Sequence, residues 1–388
     1  MQRHHKKEVF PLDMFEIYLD YNATTPVADP VQEEVTYALK EKWGNPSSGH
    51  RLGKVAKDAL EYARAQVASL LNAYPKEIFF TSGGTESNNL ALIGICQTMT
   101  GKGRHIITTC IEHPSIMNPC LHLLEQGWDV TFIKVNSQGL ANALEVEKAL
   151  RPDTVMVSVM LANNETGAIQ PLAAISQMAR RYGVLVHTDA AQALGKISVN
   201  VRDLGVDYLS IAGHKLYAPK GIGALYCKTG APLGPIMFGG GQEQGFRPGT
   251  EPVPLAVGLG AACNFVARGI SAESERQKCL REKLYTELFR LDHTIIRHGD
   301  PENTIPNTLS ISFVGKNGAE ILSRVPEVMA STGAACHDRK VKVSHVLAAM
   351  GIPPEVALGT VRFSLGRGTT ESDIEKAARL IGRVFDSM

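Results

Sequence analysis

The chain has 388 residues, of which 44% are hydrophobic and 20% are charged, with 40 Lys and Arg against 39 Asp and Glu. This length predicts one large and one smaller domain, because a single hydrophobic core stops growing near about 250–300 residues. A net charge of +1 supplies no broad field to draw in nucleic acid or an anionic membrane, so we expect small molecules or other proteins as partners.

The beginning of the chain, MQRHHKKEVFPLDMFEIYLDY, is positively charged but has no apolar segment behind the charges. No apolar run elsewhere reaches the ~18 residues that span a bilayer. A cytoplasmic protein is therefore expected. The seven cysteines form no CxxC pair, and an odd number in a chain of this size argues against a disulfide framework.

A long amphipathic helix is predicted over residues 52–71, where apolar side chains recur at helical spacing. Short runs rich in β-branched residues follow between Ile78 and Cys227, among them RHIITT, DVTFIKV, TVMVSVML, VLVHTDA, DYLSIAG and GIGALYC. Nearly continuous apolar runs of this length are typical of strands buried on both faces. The pattern predicts an α/β fold with a mostly parallel sheet.

After the Gly-rich stretch FGGGQEQGFRPGTEP the pattern changes to mainly helical segments, with strand-like NTLSISFV and TVRFSLG further on. We place a domain boundary near Ala256. The large domain is predicted to cover residues 16–256, and a smaller α+β domain residues 1–15 and 257–388.

The first candidate site residues follow two of the predicted strands. In IFFTSGGTESNNLALIG, Gly84 and Thr85 lie at a predicted helix start, where free amide groups can bind phosphate, although the same residues also form an ordinary capped turn. His113 in IEHPS can lie on an aromatic ring and handle protons, and the alternative is a packed, hydrogen-bonded histidine.

Three further candidates lie in MLANNETG and VLVHTDAAQALGK. The amides of Asn164 and Gln192 can donate to a phenolic oxygen or bridge backbone groups in a loop. Asp189 ends a predicted parallel strand, where α/β folds bind ligands. Its carboxylate can pair with the pyridinium nitrogen of a pyridoxal phosphate (PLP) cofactor or cap a helix.

Lys215 follows the predicted strand DYLSIAG and precedes a Pro- and Gly-rich turn. A lysine binds an aldehyde cofactor through its neutral form, and burial beside positive groups lowers its pKa. A lone lysine here is more often a surface residue, but Asp189 on the preceding strand favours the cofactor role.

Cys336 lies in MASTGAACHDRKVKVSHV, a polar and basic stretch between two apolar segments, which predicts a loop. Nearby positive charge favours a thiolate. The alternative is a buried, unreactive cysteine.

Strings typical of one enzyme family occur along nearly the whole chain, namely YLDYNATTP, GNPSS, FTSGGTESNN, EHPS, ANNETG, HTDAAQALGK, GHKLYAPKGIGALY, GGGQEQGFRPGTE, STGAAC and VRFSLGR. The chain resembles the cysteine desulfurases of the class V aminotransferase group, in the branch of nitrogen fixation and iron-sulfur cluster assembly. The resemblance implies fold type I of the PLP-dependent transferases and conversion of L-cysteine to L-alanine. It also implies a homodimer that passes sulfur to an acceptor or cluster scaffold protein.

The resemblance implies that Lys215 binds the cofactor covalently, Asp189 pairs with the ring nitrogen and His113 stacks on the ring. The residues that it assigns to the remaining cofactor contacts are Asn164 and Gln192 for the ring oxygen, Gly84, Thr85 and His214 for the phosphate, and Thr250 for the phosphate of a neighbouring subunit. Ala212 departs from the Ser of many relatives and removes one possible hydroxyl contact to the phosphate.

The resemblance also implies the substrate contacts. Arg362 is expected to bind the substrate carboxylate through its planar guanidinium, and Asn22 to bind substrate beside it. A structural ion pair is the alternative for Arg362. Cys336 is expected to attack the substrate sulfur and to carry it as a persulfide.

Other functions stay open at this point. VMASTGAACH and FGGGQEQGFRPGTE are also similar to selenocysteine lyases, and an aminotransferase on the same fold would have no use for Cys336. A non-catalytic scaffold would have no need for Lys215 and Asp189 together. We expect no metal site on His113, His187 and His214, because no pair of them has the spacing of zinc ligands.

Overall fold

The computed structural model describes residues 16–337 and 340–385, and for residues 334–337 and 340–342 it describes the backbone alone. The strands are β1 (Ile17–Tyr18), β2 (Ile78–Thr81), β3 (His105–Thr109), β4 (Asp129–Ile133), β5 (Thr154–Ser158), β6 (Leu185–Asp189), β7 (Tyr208–Ala212), β8 (Gly223–Cys227), β9 (Ile296–His298), β10 (Thr308–Ser312), β11 (Val328–Met329), β12 (Ser331–Thr332), β13 (Ala334–His337), β14 (Lys340–Val343) and β15 (Thr360–Ser364). The helices are α1 (Asp29–Glu41), α2 (Arg51–Leu71), α3 (Gly84–Met99), α4 (Pro114–Glu125), α5 (Ala143–Ala149), α6 (Leu172–Arg181), α7 (Val201–Leu204), α8 (Val253–Ala267), α9 (Ile270–Leu291), α10 (Gly318–Ser323), α11 (His345–Ala349), α12 (Pro354–Ala357) and α13 (Glu371–Phe385).

The central sheet has seven strands in the order β2-β8-β7-β6-β5-β3-β4. β8 runs antiparallel to both of its neighbours, and the other strands run in one direction. Apolar residues of α2, α6 and α8 form the first core on one face of this sheet, and those of α3 and α4 pack as a separate cluster on the other face. The predicted α/β fold with a mostly parallel sheet is confirmed, and its inner strands are buried because both faces are covered, although they include polar residues such as His187 and Thr188.

The helix predicted over residues 52–71 is α2. It begins after His50, whose ring nitrogen accepts the N–H of Gly53, and ends at Asn72 in the left-handed conformation with φ of 56°. Its apolar stripe, which includes Leu60 and Val67, is buried in the first core. The helical spacing of these residues and the two caps explain both the position and the length of α2.

A second core lies around the four-stranded sheet β12-β15-β10-β9. Helices α9 and α13 pack on this sheet, and Ile17 and Leu19 join the same core from the start of the described chain. Helix α8 packs in the first core instead. The division near Ala256 stays a prediction, and its residues 1–15 lie outside the described part of the chain.

The segment around Cys336 corrects the predicted loop. The backbone of β13 pairs antiparallel with that of β14, and Cys336 lies opposite Val341. Alternating valines in KVKV favour a strand despite the basic residues between them, because β-branched side chains suit extended backbone. The side chain of Cys336 lies outside the described part of the structure.

No single helix in the described ranges is both long and apolar enough to cross a membrane. Helices α8 and α9 reach the required length and hydropathy only as a pair, and the chain bends by 73° between them.

Candidate active site

A cavity of about 340 Å³ lies between the central sheet and the second core. Most of the residues selected from the sequence line it, namely Asn22, Gly84, Thr85, His113, Asn164, Asp189, Gln192, His214, Lys215 and Arg362. Thr250 is exposed and does not belong to this lining. The cavity therefore brings together side chains that are far apart in sequence.

The sheet topology explains why these side chains meet. β6 ends at Asp189, and β7 is followed directly by the short turn that carries Lys215. β3 and β5 run parallel to them, so the loops carrying His113 and Asn164 emerge at the same edge. Ligand sites of open α/β sheets lie at this carboxyl edge of the strands.

The amine of Lys215 is held close to the chain at residues 22 and 23. Its Nζ donates to the carbonyl oxygens of Asn22 at 2.6 Å and Ala23 at 2.7 Å. Burial, followed by the positive charge of Arg362, lowers the pKa of Lys215 to about 8, although Asp189 acts in the opposite direction. A neutral amine is thus accessible near neutral pH, as a carbonyl-binding lysine requires.

A chain of hydrogen bonds joins Asp189 to His113. Asn88 Nδ2 donates to Asp189 Oδ2 at 2.7 Å and to Ser115 Oγ at 2.8 Å, and Ser115 Oγ lies 2.8 Å from His113 Nδ1. The backbone N–H of Ser115 also donates to that Nδ1. Since Nδ1 accepts, the neutral ring carries its proton on Nε2. Desolvation by the surrounding protein lowers the pKa of His113, and Lys215 and His345 add to this effect against Asp189.

The start of α3 and the turn after β7 form one end of the cavity. A Cβ atom at Gly84 would lie 3.2 Å from that of Ala212, so glycine permits this close approach of the two segments. His214 Nδ1 lies 3.1 Å from the hydroxyl of Thr24. Burial, with nearby Lys215, lowers the pKa of His214 to about 4, and its ring is neutral. Helix N–H groups and a neutral imidazole are suitable donors for a phosphate.

Arg362 lies on β15 and reaches the cavity from the second core. Its Nη2 donates to Asp20 Oδ1 at 2.5 Å and to Ser331 Oγ at 2.9 Å, and its Nη1 donates to the carbonyl of Asn164 at 2.9 Å. Nε is buried and has no hydrogen-bond partner. The guanidinium that is expected to bind the substrate carboxylate is thus held by a second carboxylate, that of Asp20. The sequence analysis did not identify Asp20.

The side chain of Asn22 is fully engaged by protein groups. Its Nδ2 donates to Thr308 Oγ1 at 2.8 Å and to the carbonyl of Asn164 at 3.2 Å. Its Oδ1 accepts from Lys196 Nζ at 2.8 Å and from Asn307 Nδ2 at 3.0 Å. This saturated amide supports the surrounding site, and its predicted contact with substrate stays a prediction.

Sequence reasoning missed three residues of this network, Asp20, Asn88 and Lys196. Each lies inside a string that was recognised as typical of the family, YLDYNATTP, FTSGGTESNN or HTDAAQALGK. Asn88 and Lys196 are buried and Asp20 is partly exposed, and because burial is not visible in the sequence, nothing in these strings marked the three residues as part of the site.

Comparisons with known proteins identify one family along nearly the whole chain. The family described as aminotransferase class-V matches residues 17–377. A cysteine desulfurase IscS of Dictyoglomus turgidum is 41% identical over 375 residues, which cover 96% of this chain and 95% of that protein. A mitochondrial cysteine desulfurase of Arthroderma benhamiae is 42% identical over 94% of this chain and 73% of its own length.

Solved structures are also similar. A NifS-like protein superposes with a TM-score of 0.91 at 37% identity and covers 96% of this chain and 100% of its own. A structure described as SspA in complex with cysteine has a TM-score of 0.80 at 37% identity, over 90% of this chain and 98% of its own.

Proposed function

The chain belongs to the class-V aminotransferase family and, within it, to the cysteine desulfurases, and we propose that it transfers the sulfur of L-cysteine to Cys336 and releases L-alanine. One observation carries the proposal. Lys215 with its lowered pKa and Asp189 with its fixed carboxylate line the same cavity.

The residues present fit PLP, the cofactor of this family. Asp189 has its two oxygens held by Asn88 and by the backbone N–H of Ala191 at 2.9 Å, so the carboxylate is oriented before any ligand arrives. Gly84 at the start of α3 and neutral His214 offer donors suited to the phosphate. When bound, PLP supplies an electron-poor ring that stabilises negative charge at the substrate Cα.

Proton handling is assigned to groups of this chain. Lys215 Nζ would hold PLP covalently, and its free amine, whose pKa is about 8, can accept a proton near neutral pH. His113 offers an Nε2–H to the cavity while Ser115 occupies Nδ1. Arg362 binds the substrate carboxylate. Asp20 and Ser331 accept hydrogen bonds from its Nη2 and so fix the orientation of the guanidinium for that contact.

Sulfur transfer requires a thiol besides the cofactor. The Cβ–S bond of L-cysteine breaks and the sulfur bonds to Cys336 Sγ, so that L-cysteine and a protein thiol become L-alanine and a protein persulfide. Atoms and protons balance without an external oxidant. The persulfide stays on the β13 and β14 segment of the chain until an acceptor protein collects it.

The test is alanine release from L-cysteine by the wild type and by Cys336→Ala. Turnover is expected to disappear in Cys336→Ala and to persist in Cys279→Ala, the matched control, because Cys279 is an exposed thiol of α9 outside the cavity. Full activity of Cys336→Ala would contradict the role of Cys336 as sulfur acceptor, whereas a wild type that releases no alanine from L-cysteine would favour an aminotransferase.

The same assay with L-selenocysteine distinguishes a cysteine desulfurase from a selenocysteine lyase. Selenocysteine lyase and aminotransferase are not favoured, because the relatives are named cysteine desulfurases. Turnover of selenocysteine without turnover of cysteine would overturn this assignment of substrate.

A homodimer, a sulfur-acceptor or cluster scaffold protein as partner, and a cytoplasmic location complete the proposal. Thr250 supports the dimer, because it is exposed, as a residue that binds the phosphate in a second copy must be. Thr250 lies in the Gly-rich stretch FGGGQEQGFRPGTEP. Glu243 of the same stretch accepts two hydrogen bonds from Arg64 on α2, at 2.7 and 2.8 Å, which hold the stretch against this helix. Sedimentation velocity tests the dimer, and a monomer that binds PLP at full affinity would contradict the role of Thr250.

A further inference from the structure

Lys196 carries a buried amine behind the cavity lining, in contact with Asn22 and Gln192, and the proposed chemistry does not use it. Only 9% of the residue is exposed. Its Nζ donates to Gln192 Oε1 at 2.6 Å and to Asn22 Oδ1 at 2.8 Å. Among the ion pairs of residues 16–337 and 340–385, none includes Lys196. A buried lysine without a carboxylate partner is uncommon and needs an explanation.

The surroundings of Lys196 favour a neutral amine. Burial, followed by the positive charges of Lys215 and Arg362, lowers its pKa well below the ordinary value. A neutral amine has two N–H groups, which match the two carbonyl acceptors of Gln192 and Asn22. Two amide oxygens thus accept both N–H groups of the neutral amine, and no carboxylate is needed.

These contacts permit one orientation of the Gln192 amide. Its Nε2 donates to the backbone carbonyl of Asn22 at 3.0 Å, while its Oε1 accepts from Lys196. In the flipped orientation, N–H groups would face the amine of Lys196, and Oε1 would face the carbonyl oxygen of Asn22. The bond from Nε2 to Asn22 would be lost inside a buried site, and Lys196 would lose Oε1 as one of the two acceptors for its N–H groups. Nε2 keeps its second N–H for the cavity that Gln192 lines.

We propose that Lys196 is a positioning residue that holds Gln192 so that an N–H, and not the carbonyl oxygen, faces the phenolic oxygen of the cofactor ring. The proposal deepens the proposed function and rests on PLP as the cofactor. A donor in this position stabilises negative charge on the ring oxygen, whereas a carbonyl would repel it. Lys196 acts through Gln192 and touches neither cofactor nor substrate.

The backbone of Lys196 is fixed separately from its amine. Gly195 has a φ of +79°, and a Cβ there would lie 3.3 Å from Val266, so glycine suits this turn. Ser274 Oγ on α9 donates to the carbonyl of Lys196 at 2.6 Å. Ser274→Ala therefore disturbs the support of Lys196 without removing its amine, which makes it a matched control.

The experiment is titration of apoprotein with PLP, followed by fluorescence quenching and by the visible absorbance of the bound cofactor. Lys196→Met keeps the length and apolar stem but removes the donor, and its Kd for PLP is expected to rise roughly 10-fold with a shifted absorbance band. Ser274→Ala is expected to keep the wild-type Kd and band. An unchanged Lys196→Met, or an equal loss in Ser274→Ala, would overturn the proposal.

A double-mutant cycle separates positioning from general support. In the Gln192→Leu background, Lys196→Met is expected to change the Kd by less than about twofold, because the group that it positions is gone. A further loss of roughly tenfold in that background would mean that Lys196 acts independently of Gln192.

A second variant covers the case in which Lys196→Met does not fold. Gln192→Glu keeps a carboxyl oxygen for Lys196 but offers the ring no N–H, so its Kd should rise as much as that of Gln192→Leu. A wild-type Kd for Gln192→Glu would contradict the proposal. These binding measurements are independent of turnover, so PLP binding without alanine release would defeat the proposed function and leave this test intact.

Discussion

The two walls of the cavity are built differently. One wall consists of the carboxyl ends of the parallel strands and of the segments that follow them, and carries His113, Asp189 and Lys215. The other wall consists of the chain around Asn22 and of Arg362 on the antiparallel β15. The first wall is assembled within one sheet, whereas the second depends on contacts between distant parts of the chain.

This difference suggests a division of labour. The groups suited to a covalent cofactor lie on the sheet wall, and the guanidinium suited to a substrate carboxylate lies on the other wall. The two walls interact electrostatically. Burial is the main cause of the lowered pKa of Lys215, and the positive charge of Arg362 on the other wall is the next cause. Variants of each wall should therefore separate cofactor binding from substrate binding.

The largest effect is expected on the sheet wall, for Lys215→Ala. Loss of the amine removes the covalent attachment, and alanine release should fall roughly a thousandfold or more. Absorbance of the protein after PLP is added and excess is removed measures the attachment. Lys228→Ala is the control, since Lys228 follows β8 and its side chain is 48% exposed. If Lys215→Ala kept its turnover, the sheet wall would not be the wall that binds the cofactor covalently, and the proposed division between the two walls would be wrong.

An intermediate effect is expected on the second wall, for Arg362→Lys. Lysine lacks the planar guanidinium that can form two hydrogen bonds with a carboxylate. The KM for L-cysteine should therefore rise roughly 10- to 100-fold, with a smaller change in kcat and an unchanged Kd for PLP. Steady-state kinetics and PLP titration together measure this split. Arg324→Lys serves as the control, because Arg324 forms an exposed pair with Glu320. A large loss of PLP affinity in Arg362→Lys would contradict separate roles for the walls.

The smallest effect concerns pH and tests how the walls communicate. Neutral Lys215 increases as pH rises through its pKa of about 8, so the rate at which apoprotein captures PLP should rise about fivefold from about pH 7 to about pH 8 and level off above about pH 9. Stopped-flow absorbance measures the rate. In Arg362→Met the midpoint should move upward, because a charge that opposes protonation is removed. A rate that still climbs about tenfold from about pH 8 to about pH 9 would mean that the pKa of this lysine is not lowered.

Much of the sheet wall was predictable from short strings. Asp189 and Lys215 each follow a run of β-branched residues, and strand periodicity together with the rule that ligands bind at the carboxyl edge put them at one edge of a sheet. The loop predicted for Cys336 was wrong because a basic composition outweighed the alternating valines of β14.

The sequence by itself determined the order of strands and helices, the type of sheet and the residues able to carry out the chemistry, because these depend on neighbours a few positions apart. Only the tertiary structure decided that Asp20 pairs with Arg362, 342 residues away, and that Lys196 reaches Asn22, 174 residues away. It also decided the pKa values of Lys215 and Lys196, because burial and the arrangement of charges around an amine are properties of the packed chain.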